Sequence, residues 1–338
     1  MINRTLCSIA ALALALTLPA AAAGPVTIKL GTLAPDNSPW THALKSMGEA
    51  WATATDHRVR LVVFAGTIPS ESSAIARMSV DGLQAATLMV AGLAEIDAGF
   101  NVLGIPFFFE SDDELIHVQR KLTPVLSRRL EAKGFHLLGW GNAGWVRVFS
   151  KKPIRALADL QRAALYTTEG EPQLVQWYTA NGFHPVPLAA GEIAKQLKLP
   201  IGAIDAAPSP PVFALALQIF RDAPYMLDLR VVPLVSATIV TATVWNKVSP
   251  DDRMKMIDGA GVMQDTLQAR APGLDQRSIE QMTAAGLSVI GLDAAGSAQF
   301  RAMAERLTAT MRGGMVPADV FDLALRERDA FRRSTAAR

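Results

Sequence analysis

From residue 26 onward the chain alternates short apolar, β-branched runs with segments of helical periodicity, and that alternation confines it to layered α/β architectures. Residues 26–33 set Val26, Ile28 and Leu30 against Thr27, Lys29 and Gly31, the period of a strand. Ser38 then reads as an N-cap with Pro39 at the first helical position. Trp40, Ala43, Leu44, Met47, Ala50, Trp51 and Ala54 follow at helical spacing. A second strand at 59–64, a helix opened by Ser70 and a third strand at 86–90 complete a β-α-β-α-β start. Ser111-Asp112-Asp113-Glu114 is a capping box ahead of the stripe Leu115, Val118, Leu122, Leu126 and Leu130. Strands are expected at 135–140, 145–149, 163–167, 201–206, 234–245 and 287–290, with helices at 172–180, 189–198 and 211–221 between them. Ser249-Pro250-Asp251-Asp252 opens a helix reaching about residue 285; Gly259 and Gly261 cost it roughly 1 kcal/mol each and predict a bend or break. The alternation implies largely parallel sheets. No low-complexity linker interrupts it, so two domains would exchange the chain through strands or tight turns, as a hinged cleft requires.

The first residues read as an export signal. Arg4 supplies the positive end, residues 6–18 are apolar, Pro19 ends the run and Ala20 to Ala23 offer small residues for cleavage near Ala23. Thirteen apolar residues fall short of the roughly 20 that span a bilayer, so a cleaved signal at 1–23 is expected and no membrane span in the remainder. Cys7 is the sole cysteine and sits inside that run, with 11 residues of it still to follow, which is the wrong place for a lipid anchor. The mature chain would have no disulfide, no Cys-ligated metal and no catalytic thiol. A net charge of +2 without Lys/Arg blocks argues against a nucleic-acid partner.

Gly139-Trp140-Gly141-Asn142-Ala143-Gly144 matches the dinucleotide fingerprint formally. Such a site needs a helix at those glycines, whereas residues 145–149 are strand-like; a close crossover between domains is the better reading. No serine elbow, zinc helix or phosphate loop occurs. The five histidines are scattered, and Glu110, Asp112, Asp113 and Glu114, which could suggest a cation site, are explained as a charged first turn. No metal or cofactor is expected. Aromatic residues crowd the strand ends instead: Trp40, Tyr166 and Phe213 fall at or just after them, where open α/β sheets bind ligands.

Five phrases, in order along nearly the whole mature chain, resemble the DctP-type solute receptors of tripartite ATP-independent periplasmic (TRAP) transporters. They are Ile28-Lys29-Leu30-Gly31-Thr32-Leu33-Ala34-Pro35 with Ser38-Pro39-Trp40; Leu103-Gly104-Ile105-Pro106-Phe107-Phe108-Phe109; and Lys151-Lys152-Pro153-Ile154-Arg155 with Ala158-Asp159-Leu160. Asn181-Gly182-Phe183-His184-Pro185-Val186-Pro187 and Trp245 with Ser249-Pro250-Asp251-Asp252 complete the set. The resemblance implies a periplasmic, non-enzymatic receptor with two α/β domains, a hinged cleft and a long helix spanning both. It also implies delivery of a small-molecule ligand to membrane permease subunits. The expected division is domain I at 24–147 and 233–275, and domain II at 148–232 and 276–338. A monomer is expected, with dimerisation through the helix from Ser249 as the alternative.

Departures from the family pattern concern the ligand. Tyr166 stands where acid-binding members carry a carboxylate-binding arginine, and Trp145 aligns closest to a second family arginine, with Arg147 two residues away on the same strand face. Ser209 replaces a family asparagine. Exchanging a charge-assisted pair worth about 1.5–3 kcal/mol for aromatic surface points to a largely apolar or neutral ligand. The candidate contacts are Trp40, Glu71, Trp145, Arg147, Tyr166, Glu169, Ser209 and Phe213. The alternatives are a carboxylate receptor using Arg147, and an exported hydrolase or isomerase using Glu169 or Glu171 as a base.

Overall fold

The computed structural model describes residues 24–169 and 172–336. The expected signal segment 1–23 and Glu171 lie outside them. Strands run in chain order as β1 (Val26–Thr32), β2 (Val59–Ala65), β3 (Ala85–Met89), β4 (Phe135–Trp145), β5 (Arg147–Ser150) and β6 (Ala164–Thr168). β7 (His184–Leu188), β8 (Ala206–Ser209), β9 (Tyr225–Leu227), β10 (Pro233–Thr241) and β11 (Ser288–Ile290) follow. They gather into a five-stranded sheet of order β2-β1-β3-β10-β4 and a six-stranded sheet of order β11-β9-β5-β8-β6-β7.

Each sheet is mixed, which corrects the expectation of largely parallel sheets. β10 is antiparallel to both β3 and β4, and β5 is antiparallel to both β8 and β9. The reason is the route of the chain. β4 leaves the first sheet at its C-terminal end and, one residue later, becomes β5; β9 leaves the second sheet the same way and five residues later becomes β10. A strand that enters a sheet from the interdomain side must run away from that side, against strands that end there. The parallel βαβ units supply the remaining pairings, β1 with β2 and β3, β6 with β7 and β8, and β9 with β11.

Local chemistry sets the helix starts. Ser38, Ser70, Ser111 and Ser249 each accept a hydrogen bond from the backbone N–H three residues on, satisfying an otherwise orphaned donor. The expected helix at 211–221 is instead two short helices, Pro211–Ala216 and Ile219–Asp222, divided where Gln218 takes a left-handed φ of 55°. The long strand expected at 234–245 stops at Thr241 and turns into the short helix Ala242–Trp245.

The first lobe buries both faces of its sheet. Leu88, Phe100, Leu115, Leu122, Trp140 and Ile239 pack in one cluster; Ile28, Leu30, Leu44, Trp51 and Val240 pack in another. The second lobe is built alike, around Phe149, Ile204, Phe220 and Met226 in one cluster and Val148, Leu160, Leu165 and Phe300 in the other. The helix Pro250–Ala284 crosses between the lobes: Met256, Ala260, Met263 and Leu267 join the first, while Met282 joins the second. The C-terminal helix Ala318–Ala336 places Val320, Phe321 and Ala324 in the first lobe's core, although the sequence division grouped 276–338 with the second. Its apolar stripe faces Leu115 and Leu122, and Arg332 donates to Glu114 Oε1 at 2.8 Å.

The long helix runs without interruption through both glycines that suggested a break. Gly259 lies against the buried Trp51, whose indole N–H donates to the Met256 carbonyl at 2.9 Å; a Cβ at 259 would sit 2.9 Å from that ring. Gly261 has nothing within 4 Å of the same position. Alanine at the two sites should therefore act in opposite directions. Gly259→Ala is expected to cost about 1–3 kcal/mol through overpacking. Gly261→Ala should add up to about 1 kcal/mol through helix propensity. Urea unfolding midpoints at equal slope check both.

Candidate functional site

The parallel strands of both sheets end on the side where the chain crosses between lobes, the side on which open α/β sheets bind ligands. Two extended segments make the crossing and pair with each other: Val146 N–H donates to Val232 O at 2.9 Å, and Val231 N–H to Val146 O at 3.0 Å. Gly144, immediately before the crossing, takes φ +89°, and a Cβ there would lie 2.5 Å from the Asp275 carboxylate. Asp275, on the long helix, accepts the Trp145 N–H through Oδ2 at 3.0 Å. The crossover is thereby fixed to the one helix that both lobes share.

Arg147 begins β5 and faces Ser209 of β8 in register. It is 7% exposed, and neither Nε nor Nη1 has a hydrogen-bond partner. Its nearest carboxylate, Asp228, stands 3.8 Å from Nε, outside hydrogen-bond reach. Burial, joined by the neighbouring Arg230 cation, lowers the Arg147 pKa from its ordinary value, while Asp275, Asp228 and Asp112 oppose the shift. A desolvated guanidinium with idle donors is costly, and a carboxylate is the acceptor that fits it best.

Four groups frame it. The Trp145 indole N–H donates to Asp112 Oδ1 at 2.9 Å, and the Arg230 guanidinium lies over the Trp145 ring at 5.0 Å. Arg230 Nη1 is 3.6 Å from Asp112 Oδ2. The Asp275 carboxyl is pushed up to about 6, chiefly by burial, against the hydrogen bond from Trp145 and the Arg147 charge. Its Oδ1 is buried without a partner.

The other sequence candidates divide into pairs and outliers. Trp40 and Phe213, both half-buried, meet ring to ring at 5.4 Å across the two lobes. Ser209 is buried and donates to the Pro210 carbonyl at 3.2 Å. Trp145 fills the first lobe's core rather than opening to the cleft. Glu71 caps a helix start, accepting from Met89 N–H and Gly92 N–H at 2.7 Å each. Tyr166 packs with Phe149 and Ile193 inside the second lobe, and Glu169 is exposed. Arg230, Asp228 and Asp275 were missed by sequence. They lie 83, 81 and 128 residues from Arg147, and no local spacing connects them. Asp112 was read as a helix-capping charge; it serves as that and also as the partner of Trp145 and Arg230. Among the described residues, no cluster of His, Cys, Asp or Glu could hold a metal ion.

Asp275 makes a pH prediction. A carboxyl whose folded pKa is raised stabilises the fold fully only below its ordinary value of 3.8, and that contribution is lost as pH rises towards about 6. The ceiling is about 3 kcal/mol for a two-unit shift. Asp275→Asn retains an acceptor for Trp145 N–H without the charge. In urea unfolding it should gain stability relative to the parent between pH 4 and 7, with the difference levelling off above that.

The idle donors of Arg147 overturn the apolar-ligand reading. That reading rested on Tyr166 standing at the place of a family arginine; Tyr166 is buried among Phe149 and Ile193, while the buried Arg147 guanidinium keeps Nε and Nη1 unpaired. Solved structures point the same way. A TRAP periplasmic solute-binding protein from Chromohalobacter salexigens, with bound D-glucuronate, is 20% identical with a TM-score of 0.80, covering 90% of this chain and 99% of that one. Another from Desulfovibrio salexigens, with bound orotic acid, is 17% identical with a TM-score of 0.80, again covering 90% and 99%. Both bound molecules are acids, and the shared fold is the two-lobed one described above. A curated relative, a solute-binding protein of Roseobacter denitrificans, is 25% identical over 262 residues, 74% of this chain and 77% of its own length. The DctP family model, described as bacterial extracellular solute-binding protein, family 7, matches residues 30–313, and the chain belongs to that family of non-catalytic receptors.

Proposed function

We propose that this protein is a periplasmic receptor for a small organic acid, whose carboxylate is held by Arg147 between the two lobes. The carrying observation is the guanidinium of Arg147, buried at the interlobe crossing with Nε and Nη1 unpaired. The acids held by the Chromohalobacter and Desulfovibrio proteins support the ligand class. Ser209 pairs with Arg147 in register, and its hydroxyl is the neutral polar group assigned beside that carboxylate. Trp145, Asp275 and Arg230 act on the site by positioning: they fix the crossover and set the field around Arg147.

The receptor performs no chemistry. Ligand contacts available only when the lobes approach favour the closed form, and closure is what the membrane permease subunits of an ion-gradient-driven transporter recognise. Among the described residues no helix is long and apolar enough to cross a membrane. The first lobe comprises residues 24–146, 233–270 and 311–336; the second comprises 147–232 and 280–310, with the long helix shared. This division follows the clusters to which each segment contributes.

Calorimetric titration with a panel of monocarboxylates, D-glucuronate and orotate among them, tests the assignment. Arg147→Gln should weaken the acid that binds by about ten- to a hundredfold, the worth of a charge-assisted hydrogen bond. Arg147→Lys should recover only part of that loss, because an ammonium lacks the planar fork. Unchanged affinity in Arg147→Gln contradicts the assignment, as does tighter binding of neutral analogues than of the acids.

A further inference from the structure

The strand ends carry a second interlobe contact that involves neither the crossover nor any charge. Trp40 is the second residue of the helix Pro39–Ala54, held at its start by the Ser38 cap and packed against the first lobe's cluster of Ile28, Leu44 and Trp51. Phe213 is the third residue of the helix Pro211–Ala216, whose next residue, Ala214, is fully buried in the second lobe's cluster. Trp40 follows the end of β1 and Phe213 the end of β8, so each side chain stands at the cleft edge of its own sheet. Their rings meet at 5.4 Å with a 43° tilt, and both residues stay half-buried. Each ring is carried by a helix seated in its own lobe, and both helices also pack along the long helix that the lobes share.

We propose that Trp40 and Phe213 form an aromatic latch that draws the two lobes together before any ligand arrives. Apolar ring contact needs no counter-charge and no bridging acid, so it acts on the empty receptor. An aromatic pair of this geometry shifts an equilibrium by roughly two- to tenfold. In the empty protein it raises the fraction of closed molecules, and the affinity for ligand rises by the same factor, since less of the binding free energy is used for closure. The affinity consequence rests on the receptor reading above; the latch itself does not, because it is defined without ligand. The two rings were singled out in sequence as ligand contacts, and the geometry assigns their contact to each other.

Single-molecule FRET on the ligand-free protein tests this. Because the sole cysteine, Cys7, lies in the expected signal segment, the mature protein accepts one label in each lobe, at Glu49→Cys and Lys198→Cys, both exposed. The parent should show a closed population. Trp40→Ala and Phe213→Ala should each lower the closed-to-open ratio by about two- to tenfold. The double variant should fall no further than the single ones, because the second substitution removes a partner already lost. Trp40→Phe, which keeps a ring, should retain most of the closed population, and this separates latch loss from misfolding. A parent that is entirely open, single variants that match the parent, or additive losses in the double variant would each overturn the latch. Failure of acid binding with an intact latch would instead count against the role of Arg147.

Discussion

Everything in this structure depends on the chain crossing between two sheets through extended backbone rather than through a linker. Val146 is the only residue between β4 and β5, and it pairs with Val231 and Val232 on the return path. Two hydrogen-bonded strands are stiff along their length and bend easily across it, which is the behaviour of a hinge. The same crossing reverses β5 and β10 within their sheets and makes each sheet mixed. It also makes Arg147 the first residue of the second sheet past the crossing. The long helix binds β4 twice, through Gln264 to Trp140 N–H and through Asp275 to Trp145 N–H, about three turns apart. The hinge is thus braced on one side by a rigid rod that both lobes share.

Electrostatics at that point are deliberately unfinished. Two cations, Arg147 and Arg230, stand among Asp112, Asp228 and Asp275, yet Arg147 Nε and Nη1 donate to none of them. An idle buried donor costs about 1–3 kcal/mol, more when it is charged. A marginally stable protein keeps such a group where something else completes it. In the proposed receptor a ligand carboxylate does so, removing the penalty once the lobes enclose it. The cost carried by the empty site and the preference of the bound site for closure are two sides of one arrangement. Asp275 adds a second strained group: held near 6 by burial, it anchors the hinge with one oxygen and leaves the other without a partner.

Much of the fold was legible in sequence because its signals are local. The serine caps at 38, 70, 111 and 249 stand three residues from the donors they satisfy, and each was readable from the neighbouring residues alone. The glycines of 139–144 were read as a close crossover rather than a nucleotide loop, and Gly144 does meet the Asp275 carboxylate at the crossing. Strand direction was not legible, since alternation of elements does not reveal which strand enters from the far side. Tyr166 shows a related limit: its position in a strand says which face it shares, not whether that face is cleft or core, and it packs with Phe149. Arg147 was noticed but ranked behind Trp145, because a two-residue shift keeps the strand face. The structure separates the two by lobe, with Trp145 in the first core and Arg147 past the hinge.

In the proposed receptor an anionic group completes Arg147. Mass spectrometry of the small molecule released by denaturing the receptor, purified from its native periplasm, addresses it most directly. The expected compound bears a carboxylate. A neutral, wholly apolar compound, recovered at one equivalent per chain, would contradict it.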